Sequence, residues 1–80
     1  MKLPRDISGA DLVKALGRKG YNVVRHRGSH VQLVARTPIG EHHITIPLHD
    51  PLKLGTLSGI LCSVAAQWNI SKQSLIEDLG

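Results

Sequence analysis

The 80-residue chain contains no phenylalanine, and its only aromatic residues are Tyr21 and Trp68. Proteins that read single-stranded RNA by stacking usually present several exposed rings. Two rings make no such platform, so any RNA contact is expected to go mainly to phosphates, 2′-hydroxyls and helix shape. Cysteine is equally scarce. Cys62 is alone, which excludes an internal disulfide and a thiolate zinc cluster within one chain, and its small neighbours suggest a packing role. No apolar run approaches the roughly 18 residues of a membrane span. The opening "MKLPRDISG" places charges and a proline where a signal peptide has an apolar stretch. A cytoplasmic protein without a membrane partner is expected.

The apolar fraction, 41%, is enough for the core of one domain covering residues 1–80. Ten Lys and Arg oppose six Asp and Glu, giving a formal charge of +4, and eight of the ten basic residues precede residue 37. This asymmetry points to a polyanion, nucleic acid ahead of a membrane, because no amphipathic surface helix carries the charge.

Local signals divide the chain into six elements. Ser8 and Asp11 have capping-box spacing, Ile7 and Leu12 occupy the staple positions, and Gly20 stops a helix over Gly9 to Lys19. Two runs rich in β-branched residues follow, Tyr21 to Arg27 and His30 to Arg36. Gly28 and Ser29 between them fit a two-residue hairpin loop of type II′. "TPIGE" is a second turn and "HHITIP" a third strand. Pro51 and Gly55 make "LHDPLKLG" a loop. Thr56 is the expected cap of a second helix with Leu57, Ile60, Leu61, Val64, Ala65 and Trp68 along one side, and Ser58, Gly59, Ser63 and Gln67 towards water or a partner. Ser71 caps a short terminal helix holding Leu75, Ile76 and Leu79. The order predicts an α+β fold like a double-stranded-RNA-binding domain, with helices on one face of a three-stranded antiparallel sheet and the other face open.

The hairpin sorts the stretch "RHRGSH". With a two-residue loop, Arg27 lies opposite His30, His26 opposite Val31, Arg25 opposite Gln32 and Val24 opposite Leu33. His26, Val24, Val31, Leu33 and Ala35 then share one face. Arg25, Arg27, His30, Gln32 and Arg36 share the other, together with Tyr21, Val23 and Val34. An imidazole, with an unperturbed pKa of about 6.5, can move a proton near neutrality. RNA supplies its own nucleophile, so a cleaving protein needs proton transfer, charge stabilisation and geometry. A histidine after a hairpin turn is nevertheless more often solvated than catalytic, and turn geometry alone explains Gly28 and Ser29.

The ordered set "SGADLVKALGRKGY", "VVRHRGSHVQL", "ITIPLH" and "LKLGTLSGIL" resembles the HicA-type toxins of toxin–antitoxin pairs. The resemblance implies a double-stranded-RNA-binding-like fold, metal-independent cleavage of mRNA without a cofactor, His30 as the catalytic residue, and neutralisation by a HicB-type antitoxin. Beside it, Arg25, Arg27, Gln32, Arg36 and Lys53 are the expected RNA-binding residues, and Gly28 and Ser29 support the site. The alternatives on the residues themselves are a non-catalytic RNA-binding module and a protein-docking domain. Members of the family often carry basic residues early in the second helix, where this chain has Ser58 and Gly59. His42, His43 and His49 invite a metal reading, but adjacent strand residues point to opposite faces. His49 is read as a loop residue, with a second proton-transfer group as the alternative.

Overall fold

A computed structural model describes residues 7–79, so the segment "MKLPRD", within the stretch read as unlike a signal peptide, lies outside the described residues. Helix α1 spans Gly9–Lys19, and the Ser8 hydroxyl accepts from the Asp11 amide at 3.0 Å, satisfying one of the free donors of the first turn. Leu12, Ala15 and Leu16 are buried, and Ile7 packs against the same core. Strands β1 (Asn22–Arg27), β2 (His30–Thr37) and β3 (Gly40–Pro47) form an antiparallel sheet in the order β1-β2-β3. Helices α2 (Leu54–Trp68) and α3 (Lys72–Leu79) complete the chain. The predicted element order is the observed one.

The sheet buries one face. Val31, Leu33 and Ala35 of β2 alternate with exposed or half-buried neighbours, and Ile46 of β3 joins them. Leu12 and Leu16 of α1 and Leu57, Leu61 and Val64 of α2 join this core, and Leu75 and Ile76 of α3 complete it where α3 packs on the other two helices. The spacing of three and four along α2 is what brings its apolar side onto the sheet.

Three features of α2 differ from the sequence reading. Helix α2 starts at Leu54, with Lys53 in the cap position and no side-chain cap, rather than after Thr56. Gly55 does not break it because the first-turn amides have no intrahelical partner to lose. The polar side of α2 is not simply solvated either: Ser58 accepts from the Lys72 ammonium, Ser63 pairs with His42 at 3.1 Å, and Gln67 donates to Thr37 at 3.1 Å. Cys62, expected to pack, is exposed.

The largest departure is in β1. Arg27↔His30, His26↔Val31 and Arg25↔Gln32 pair as the two-residue loop requires, and Gly28 takes φ 54 at its first central position. Beyond Arg25 the register shifts, so that Val23 rather than Val24 opposes Leu33. Val24 is the extra residue of a β-bulge and is exposed. One inserted residue reverses the alternation, which carries Tyr21 from the expected open face into the core at 3% exposure.

The connection from β3 to α2 is strapped to its surroundings by backbone bonds. Leu48 N–H donates to the Ser29 carbonyl (2.6 Å), Gly9 N–H to His49 (2.8 Å) and Leu52 N–H to Ile7 (2.8 Å). Gly9 sits so close that a Cβ there would meet the Pro47 carbonyl oxygen at 2.0 Å. Gly9→Ala is expected to lower stability by about 1–3 kcal/mol, the usual range for overpacking, despite alanine's better helix propensity. Urea denaturation of the two proteins measures it.

Candidate functional site

Arg25, Arg27, His30, Gln32 and Thr45 line one cavity of about 230 Å³ on the open face of the sheet. Their convergence follows from pairing. Arg25 opposes Gln32 and Arg27 opposes His30 across β1 and β2, while Gln32 opposes Thr45 across β2 and β3. Residues directly opposite share a face, so three strands each contribute to one depression.

The polar groups there are uncommitted. The ion pairs among the described residues are Lys19–Asp78 and His43–Glu41, and neither includes an arginine. His30 Nδ1 lies 3.5 Å from the Ser29 hydroxyl, the long limit of a hydrogen bond, so the ring is only loosely held. No bond within the described residues engages Gln32 or Thr45 side chains. Unpaired guanidinium groups, a carboxamide, a hydroxyl and an imidazole around one depression are the convergent polar set that marks a ligand site.

The other expected residues fall elsewhere. Arg36 is on the same face but borders a separate depression with Thr37, Gly40 and Glu41. It lies six residues along β2 from His30, about 20 Å. Lys53 is exposed at the start of α2 and does not line the His30 cavity. His26 shares the Val31 side yet stays exposed, its Nε2 3.0 Å from the Gly28 carbonyl. The sequence reading missed Thr45. Its signal was present: pairing the strands across the Pro38-Ile39 turn puts Thr45 opposite Gln32.

Below the sheet a polar network links β3, α2 and the residue preceding β1. Trp68 Nε1–H donates to the Tyr21 oxygen (3.1 Å), and the Tyr21 hydroxyl meets His42 Nδ1 at 2.8 Å. His42 Nε2 is 3.1 Å from Ser63 Oγ. With the Tyr21 oxygen accepting from Trp68, its proton is directed at Nδ1, which leaves Nε2–H to donate to Ser63. Burial lowers the His42 pKa below 6.5, and His43 beside it acts in the same direction. Burial likewise raises that of Tyr21, against the donated Trp68 bond, so in both groups burial favours the neutral form. His42 and His43 diverge, since His43 pairs with Glu41 at 2.8 Å on the opposite face.

A family model, the HicA toxin of bacterial toxin-antitoxin, matches residues 9–67, more than half of the chain. No curated protein and no solved structure matches it.

Because the His42 pKa is depressed in the folded state, the folded protein takes up this proton less readily than the unfolded chain. The stabilisation is present above about pH 6.5 and is lost as pH falls through the folded value. Urea midpoints measured between about pH 7.5 and pH 5 are expected to fall more steeply in the parent than in His42→Gln. Equal slopes would remove His42 as the cause.

Proposed function

Because the chain belongs to the HicA toxin family, we propose that it cleaves messenger RNA without a metal, His30 transferring a proton and Arg25 and Arg27 holding the backbone. The observation that carries this reading is the cavity in which those three side chains meet with no carboxylate partner among the described residues. The 2′-oxygen forms a bond to phosphorus while the bond from phosphorus to the 5′-oxygen breaks. The 2′-hydroxyl proton leaves and the 5′-oxygen gains one; His30 carries one of these transfers and water the other. The products are a cyclic phosphate and a 5′-hydroxyl end. The guanidinium groups offset the charge that gathers on the phosphoryl oxygens. Gln32 completes the near site, and Arg36 and Lys53 contact phosphates farther along the strand.

A HicB-type antitoxin neutralises the toxin in this reading. The unpaired arginines of the open face leave a positive surface that an acidic partner covers, denying it to RNA.

His30→Ala is expected to keep the fold and to lower the cleavage rate by about 10²- to 10⁴-fold, with loss of growth arrest in cells. End-labelled transcripts and circular dichroism check the two halves; unchanged cleavage would refute the assignment. If the parent chain binds transcripts and leaves them intact, it is an RNA-binding module instead. Arg27→Ala should weaken binding and reduce the slope of log affinity against log salt by about 0.7, the contribution of one phosphate contact to a single strand. Titrations at several salt concentrations measure this.

A further inference from the structure

Arginines recognise phosphate in any sequence, but part of the cavity lining is of another kind. Gln32 and Thr45 face each other across β2 and β3, and both side chains line the depression beside His30. They stand on regular strands, which hold a contact more accurately than a loop. Each combines a hydrogen-bond donor with an acceptor, and neither is engaged by a described residue. An uncharged donor–acceptor pair on β2 and β3, beside the arginines of β1, suits a base edge better than a phosphate.

We propose that Gln32 and Thr45 read the base next to the scissile bond and that this base is an unpaired adenine. The inference rests on the reading of the chain as a toxin that binds and cleaves RNA. The cavity, about 230 Å³, falls below the roughly 300–1,000 Å³ of small-molecule pockets and takes one base rather than two. The carboxamide places an N–H donor beside a carbonyl acceptor. Adenine answers with an amino donor beside a ring-nitrogen acceptor, N6 with N7, an edge that pyrimidines lack. Guanine offers two adjacent acceptors, O6 and N7, which leaves the Gln32 carbonyl against an acceptor. The Thr45 hydroxyl adds a third polar contact from the neighbouring strand.

Stacking comes from an unusual source. Tyr21 and Trp68 are held in the core network, so no aromatic residue lines the cavity. The flat guanidinium groups of Arg25 and Arg27 and the His30 ring border it instead. Arginine planes stack on bases as aromatic rings do, and a purine offers them the larger face. The same arginines thus serve as phosphate clamp and base platform, which fits a chain with few rings.

The test uses full-length His30→Ala protein, expected to cleave RNA too slowly to disturb a titration, and fluorescently labelled homopolymers of adenylate, uridylate and cytidylate. Fluorescence anisotropy is expected to show adenylate bound about tenfold more tightly than either pyrimidine homopolymer. Adding Gln32→Leu should reduce adenylate affinity to the uridylate level and leave uridylate affinity within about twofold. Thr45→Val should shift adenylate in the same direction by less. Equal affinities in the parent, or a Gln32→Leu loss shared by all homopolymers, would overturn base reading while leaving RNA binding in place. Binding to none of the homopolymers at low salt would instead remove the RNA-cleavage reading and base reading together. Circular dichroism of each variant guards against misfolding, and Gln32→Glu, of nearly the same shape, should lose the adenylate preference if Gln32→Leu fails to fold.

Discussion

The arrangement of this molecule depends on the phase of a single strand. Tyr21, Val23, Arg25 and Arg27 are all odd-numbered, and an unbroken strand would send all four side chains to one face. The molecule needs Tyr21 in the core and the arginines on the open side. The bulge at Val24 meets both demands by spending one residue without a partner. On one side of it the chain belongs to the Tyr21–His42–Trp68 network, and on the other to the basic cavity. The positive φ of Gly28 then returns the chain so that Arg27 faces His30. Register at these two points governs what every other residue of the hairpin can touch.

The two faces of the sheet divide the scarce chemistry of the sequence. Both aromatic rings lie on the helix side, where their polar tips meet each other and His42 rather than being left buried and unpaired. Lys19 of α1 covers this group, its ammonium 4.9 Å from the Trp68 ring centre and 3.2 Å from Asp78 of α3. Helices and sheet are thereby joined at a polar seam as well as by apolar packing. Around the cavity, the open face keeps groups whose hydrogen bonds and charges are not engaged by the described residues, and its strands hold them at fixed spacing. The bulge and the exposed arginines also blunt the free edge of β1 against pairing with another chain.

Most of the architecture could be read from the residues because local signals agreed with one another. Ser8, Gly20, Gly28 and the stripe from Leu57 to Trp68 each acted where they were expected. The grouping of Arg25, Arg27, His30 and Gln32 was equally legible, since it needs only the turn and three paired positions. What stayed hidden had tertiary causes. The stretch Tyr21 to Val24 has no proline or glycine to announce a bulge, and only the competition for the core selects it. The polar contacts of Ser58, Ser63 and Gln67 require knowing which strand and helix α2 meets. Thr45 required the second turn to be paired through.

The Ser29 carbonyl, which accepts from Leu48, changes what kind of hairpin tip this is. Tips normally open alone and are the first places where a chain is clipped. Here the tip is bonded to residue 48, and the segment that follows is bonded to Gly9 and Ile7 at the head of α1. Opening the backbone of the tip therefore disturbs a segment that is also bonded to the first helix. Through these bonds, movement at the tip is felt at the head of α1, a part of the chain some twenty residues earlier in sequence.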